Sequence, residues 1–187
     1  TFQISPFLSI DTVMMHSVAA RVAKKSNFAA RCVHIEARIA SLGYKLPNEP
    51  PAPKGNYMGY TKRGNTIYTA GHLPQKHDGT LVLGRLGENV TVEQGQDAAR
   101  VAALNILATV KSAVGDLDKV KKIVKITGFV NSASDFTNQP AVLNGCSDLL
   151  GEIFGVEIGR HARSALGVNV LPLGVAVEIE AIIEVDA

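Results

Sequence analysis

Gly159-Arg160-His161-Ala162-Arg163-Ser164-Ala165, read together with the run Val175 to Val185, decides the fold of this chain. In the second run apolar residues fall at every other position (Val175, Val177, Ile179, Ala181, Ile183, Val185), and Glu178, Glu180 and Glu184 stand between them. A period of two marks a β-strand with one apolar and one acidic face. Arg163 to Val170 alternates as well: Ser164, Leu166, Val168 and Val170 share one face, and Arg163, Ala165, Gly167 and Asn169 the other. Arg163 therefore has only small neighbours along its own strand face. A guanidinium flanked by Ala and Gly has room for a ligand, and its planar fork suits a carboxylate.

Working outward, Thr91-Val92-Glu93-Gln94 is a capping box, in which the Thr91 hydroxyl accepts from the Gln94 amide and the Gln94 side chain reaches back. It opens a helix whose apolar stripe runs Ala99, Ala103, Ile106, Val110 and Ala113, with Gly115 as the stop. The small residues of that stripe predict close packing on a sheet. Ile123 to Val130 alternates and reads as a strand; a second helix is expected over about 139–154, carrying Val142, Leu149, Leu150 and Ile153. Upstream, the run 56–71 alternates and is broken at Lys62-Arg63-Gly64-Asn65, the pattern of two strands joined by a tight turn. Leu81-Val82-Leu83 is a candidate short edge strand, and 30–46 a short amphipathic helix stopped by Gly43. Pro47-Asn48-Glu49-Pro50-Pro51-Ala52-Pro53 sustains neither helix nor central strand and reads as an extended connector. The order β-β-(β)-α-β-α-β-β predicts an α+β fold: an antiparallel-rich sheet with two main helices on one face.

At 187 residues, with 46% hydrophobic and 19% charged, the chain has the composition of one globular domain with a sizeable core. Residues 1–32 are a basic, acid-poor extension, and 33–187 form the domain. The extension has the composition of an organelle transit peptide or of a short helix packed on the domain, so the expected compartment is cytoplasmic or mitochondrial. The formal charge of +2 is concentrated there (Arg21, Lys24, Lys25, Arg31), which leaves the domain near neutral and argues against nucleic acid as a partner. Cys32 and Cys146 form neither a disulfide framework nor a metal-ligand pair, and a reducing compartment is expected. No apolar run approaches the ~20 residues needed to cross a bilayer, so no membrane association is expected. There is no phosphate-binding Gly-rich loop, metal-ligand cluster or Ser/His/Asp order. The residues point to a site without metal or cofactor, built from one Arg, a carboxylate and backbone groups.

Arg163-Ser164-Ala165, Leu171-Pro172 and Val177-Glu178-Ile179-Glu180-Ala181 resemble the closing signature of the RidA (YjgF) family of reactive-intermediate deaminases. Gly159-Arg160-His161-Ala162-Arg163 and Asn144-Gly145-Cys146-Ser147-Asp148-Leu149 resemble the variant carried by one bacterial-type branch. Tyr57, Gly64-Asn65, Ala70-Gly71-His72-Leu73-Pro74 and Asp135-Phe136 match in order, so the resemblance spans roughly residues 35 to 187. It implies a chorismate-mutase-like fold assembled as a trimeric barrel with ligand clefts between subunits. It also implies that Arg163 binds the substrate carboxylate, that Glu178 positions or activates water, and that Tyr57, Gly71 and Asn144 line the pocket. His72 stands where better-known members often carry Gln and is a further candidate for the pocket.

Each of these has a plainer reading. Arg163 is also placed to pair with Glu178 or Glu180 as a surface ion pair, and parity alone does not select Glu178 over Glu180 or Glu184. A simple hairpin about Leu171–Gly174 would bring Arg163 nearer Ile182 than Glu178, so the two residues meet loosely or across subunits. Cys146 lies in a helical stretch with no adjacent base, which argues against a nucleophile. The implied activity is hydrolysis of 2-imino or enamine acids to 2-oxo acids and ammonia. The alternatives are a non-catalytic, carboxylate-binding regulatory trimer and, with less support from composition, an endoribonuclease.

Overall fold

The computed structural model describes residues 34–186; the basic extension lies outside them. A seven-residue helix α1 (Ile35–Ser41) leads, through the proline-rich connector, into the hairpin of β1 (Tyr60–Arg63) and β2 (Thr66–Thr69). Gly64 takes a φ of 57° at the turn, a value that costs a residue without Cβ nothing. Helix α2 (Val92–Val114) starts at the Thr91/Gln94 capping box and stops at Gly115, whose φ of 85° ends the helical run. After a 3₁₀ turn (Leu117–Lys119) come β3 (Val120–Asn131), α3 (Gln139–Gly159), β4 (Ala162–Val168), a second 3₁₀ turn (Pro172–Gly174) and β5 (Val177–Val185). The helical course of α3 breaks at Gly155 (φ 75°, ψ 176°), one residue past the end predicted from sequence.

The expected α+β class is found: one five-stranded sheet in the order β1-β2-β5-β3-β4, antiparallel except for the parallel pair β3/β4. Of the arrangements left open between β4 and β5, the simple hairpin does not form. The crossover through α3 lays β4 parallel on one edge of β3, and β5 takes the other edge, so β3 separates the two strands. The segment that crosses over is tied down by a bridge of Leu83 to Val175 and by the Gly84 amide donating to the Gly174 carbonyl. Residues 81–83 are present only as isolated bridges, not as a strand.

Both long helices cover one face of the sheet. Ile123, Ile126, Val130, Val177, Ile179, Ala181 and Ile183 are buried there against α2 and α3. Gly128 and Gly145 set the depth of packing: a Cβ at Gly128 would meet Leu143 of α3 at 2.1 Å, and one at Gly145 would meet the Gln96 carbonyl of α2 at 2.1 Å. The opposite face is open. Its rows read Tyr68–Ile182–Lys125, Glu180–Thr127–Ser164 and Glu178–Phe129–Leu166 across adjacent strands.

Candidate active site

Arg163 lies beside Ile126, which lies beside Ala181. Both partners are buried beneath the helices, so the guanidinium projects from the helix-covered face at the outer edge of the sheet, up against α3. There its Nη1 donates to Asn144 Oδ1 at 3.0 Å and to Ser147 Oγ at 2.9 Å. Asn144 and Ser147 are three apart, one turn of helix, and so present to the same spot. The structure thus brings Asn144 to Arg163. It also adds Ser147, which the i, i+3 spacing in Asn144-Gly145-Cys146-Ser147 could have revealed.

His161, two residues before Arg163, turns its ring to the same side. Its Nδ1 is 2.7 Å from the Gly159 carbonyl, which can only accept, so Nδ1 carries the proton and Nε2 accepts from the Ser147 hydroxyl at 3.1 Å. Burial is the main cause that holds this imidazole below its ordinary range, aided by the charges of Arg163 and Lys122 and opposed by the Gly159 carbonyl. Arg163, His161 and Ser147 open on a cavity of about 590 Å³, walled also by Asp148, Glu152 and Arg160. Cys146, next to Ser147 in sequence, faces the core; burial pushes its thiol up to about 12, which removes it as a nucleophile.

Glu178 is elsewhere. It lies beside Phe129 on the open face, three positions along β5 from Ala181 and therefore on the opposite side of the sheet from Arg163. Two strand spacings of about 4.8 Å and three residue rises of about 3.3 Å separate the backbones by roughly 14 Å. The surface ion pair between Arg163 and Glu178 or Glu180, open from sequence alone, does not form. Burial, with Glu180 adding to it, raises the Glu178 carboxyl above its ordinary range.

Gly71 belongs with Glu178. The His72 amide and carbonyl pair with Ile179, at 2.7 and 3.1 Å, which sets Gly71 against the Glu178 carboxylate. A Cβ on Gly71 would stand 1.9 Å from Glu178 Oε1. Tyr57, half exposed, lines a small cleft of about 30 Å³ together with Gly71, and its hydroxyl accepts from the Lys54 amide at 3.3 Å. His72 also lines this cleft, and its imidazole reaches toward α2. The ring is buried, donates from Nδ1 to the Ala70 carbonyl at 2.8 Å and accepts at Nε2 from the Thr109 hydroxyl of α2 at 2.7 Å. The isolated bridge that pairs His72 with the buried Ile179 turns this ring toward α2 and away from the Glu178 carboxylate that Gly71 meets.

One chain therefore carries two separate clusters of the candidate residues, Arg163–Asn144–Ser147–His161 at the helix-side edge, and Glu178 on the open face with Gly71 against it and Tyr57 beside Gly71. Among the described residues, the group with metal-like spacing is His34, Asp116 and Asp118, remote in sequence from both clusters. Asp118 there accepts from the Ile35 amide at 2.7 Å and meets His34 Nδ1 at 2.8 Å, fastening the start of α1.

A family model described as "YjgF/chorismate_mutase-like, putative endoribonuclease" matches residues 36–184. Protein TCP17 of Trypanosoma cruzi is 45% identical over 152 residues, covering 81% of this chain and 94% of TCP17. A 2-iminobutanoate/2-iminopropanoate deaminase of Dermatophagoides farinae is 29% identical over 137 residues, 73% of this chain and 91% of that protein. The crystal structure of the protein Atu1372 from Agrobacterium tumefaciens superposes with a TM-score of 0.74 at 43% identity, covering 81% of this chain and 94% of that one.

Proposed function

The chain belongs to the YjgF/chorismate-mutase-like family, and on that premise we propose that it is a cofactor-free hydrolytic deaminase, converting reactive 2-imino or enamine acids to 2-oxo acids and ammonia. The observation that carries the reading is the anchored guanidinium of Arg163. Asn144 Oδ1 and Ser147 Oγ take up the protons of Nη1, which leaves the edge formed by Nε and Nη2 to a carboxylate. A fork fixed in place beside a cavity is a pre-organised receptor for an α-carboxylate. The imino carbon follows the carboxylate directly, so holding the one positions the other.

Water then adds to the iminium carbon. The Glu178 carboxylate accepts a proton from that water and passes it to the carbinolamine nitrogen; as the C–N bond breaks, the hydroxyl oxygen forms the carbonyl and gives its proton back to Glu178, from which the departing ammonia takes it, leaving the 2-oxo acid and ammonium. A carboxyl raised above its ordinary range by burial and by Glu180 is a stronger base for this step. Tyr57 and the Gly71 backbone bound the side of the substrate facing Glu178.

Since Arg163 and Glu178 stand on opposite faces of one sheet, the proposal includes assembly. The open face, which exposes Tyr68 and Leu166, packs against further copies in a homotrimer, and the Glu178 half-site of one copy closes over the Arg163 half-site of the next. The separation also favours a second reading, a carboxylate-binding regulatory trimer in which Arg163 binds and nothing turns over. For compartment the proposal is the cytoplasm or the mitochondrion, on the basic, acid-poor N-terminal sequence and the cysteine usage.

The test is 2-oxo acid release from an imino acid generated in situ by an amino acid oxidase, compared between buffer, this protein and Arg163→Ala. Acceleration over buffer that the variant abolishes supports deamination. No acceleration across several side-chain classes, with 2-oxo acid binding retained, supports the regulatory reading.

A further inference from the structure

The deaminase reading uses Ser147 only as an acceptor for Arg163 Nη1, and leaves His161, to which the Ser147 hydroxyl is bonded, without a task. The geometry of the pair is specific. The Ser147 hydroxyl has one proton and two lone pairs. The Gly159 carbonyl fixes the His161 proton on Nδ1, so Nε2 is an acceptor and the Ser147 proton is drawn to it. The Ser147 oxygen then faces Arg163 Nη1 with a lone pair and without a competing proton, at 2.9 Å. A chain of four groups on α3, β4 and the link between them, Gly159 carbonyl, His161, Ser147 and Arg163, is ordered in one direction.

We propose that His161 is a positioning residue that acts through Ser147 to lock Nη1 of Arg163, so that the carboxylate is received by the Nε/Nη2 edge in one orientation. The inference rests on the reading of Arg163 as the carboxylate holder. With Ser147 removed, Nη1 has one acceptor in place of two, and the guanidinium is free to rotate and offer its other edge. With His161 removed, the Ser147 proton has no fixed acceptor, and the hydroxyl turns between orientations, only some of which present a lone pair to Nη1. Neither His161 nor Ser147 needs to touch the reacting carbon. Their effect falls on how tightly and in what pose the carboxylate is held.

Calorimetric titration of the full chain with 2-oxobutanoate at pH 7.5 tests this, using Ser147→Ala, His161→Ala, their double variant, His161→Gln and Arg163→Lys. Thermal melting checks that each variant is folded. Losing an acceptor from a charged donor weakens binding by about tenfold in Ser147→Ala. His161→Ala weakens it less, by about threefold. Two results separate positioning from mere packing. His161→Ala has no further effect once Ser147 is Ala, because its only route to Arg163 is gone. His161→Gln, whose amide oxygen replaces the Nε2 acceptor, restores binding to near the wild-type value. If Ser147→Ala and His161→Ala bind like wild type while Arg163→Lys does not, the inference is overturned and the carboxylate reading stands. Additive losses in the double variant, or no rescue by His161→Gln in a folded protein, overturn it too. If wild type does not bind, or Arg163→Lys binds equally well, the carboxylate reading itself falls first.

Discussion

Gly71 and Glu178 form a pair in which the smaller residue decides the position of the larger. No positive φ is required at Gly71; what requires glycine is the Glu178 carboxylate, which a Cβ would meet at 1.9 Å. Gly71→Ala should therefore displace that carboxylate and lower kcat for imine hydrolysis, with 2-oxo acid affinity at the Arg163 half-site changed less. Steady-state kinetics beside a binding titration separate the two. On the proposed role of Glu178 as general base, Glu178→Gln should lower kcat by roughly 10²-fold or more. The same carboxyl sets a pH dependence of stability. Its proton is held more tightly in the folded chain than in the unfolded one, because burial and Glu180 oppose its ionisation. Its contribution is therefore full below the ordinary carboxylate pKa and is lost as pH rises through the raised folded value. Urea melts of wild type against Glu178→Gln across pH 4 to 8 should show this loss in wild type and not in the variant.

At the scale of elements, the capping box and the glycine contacts are what hold the site's scaffold. Thr91 and Gln94 satisfy each other's amides at the start of α2, with the Thr91 oxygen accepting at 3.2 Å and the Gln94 oxygen at 2.9 Å. Thr91→Ala should cost about 1 kcal/mol in chemical denaturation and leave activity alone. Gly145 is less tolerant, since its neighbour at 2.1 Å is a backbone carbonyl, which has no rotamer by which to retreat. Gly145→Ala must separate α2 from α3 and should lose stability at the upper end of roughly 1–3 kcal/mol. It carries Asn144 and Ser147 with it, so 2-oxo acid affinity should fall in the same variant. A thermal melt and a titration on one sample check both.

For the whole molecule, the prediction is an activity that depends on association. Leu166 is 46% exposed on the open face, next to Phe129 and in the same row as Glu178. Leu166→Glu places a charge where another copy would pack. Analytical ultracentrifugation should find wild type at three times the 19.8 kDa of one chain and the variant at lower mass. Deamination should be lost with the mass, while the monomer keeps its Arg163 half-site and some 2-oxo acid binding. A wild type that is monomeric and fully active would overturn the shared-site proposal.

The sequence by itself determined the elements, because they rest on local chemistry: the Thr91/Gln94 box, the Gly115 stop, the period-two runs about Ile123–Val130 and Val175–Val185, and the turn at Gly64. It also determined that Asn144 and Arg163 are candidates for one site, through motif resemblance, although nothing local showed that they touch. Only the tertiary structure decided who meets whom. Parity says that a side chain lies on one face or the other, but which face is covered depends on where the helices land. The sequence next to Arg163 left open a hairpin with β5; the crossover through α3 put β3 between them, and so placed Arg163 and Glu178 on opposite sides of the sheet. His72 turned inward for the same reason, and Ser147 emerged only when α3 was laid against the edge of β4. Strand order and helix placement are fixed by the burial of the whole apolar set at once, a non-local condition that no single stretch of the chain contains.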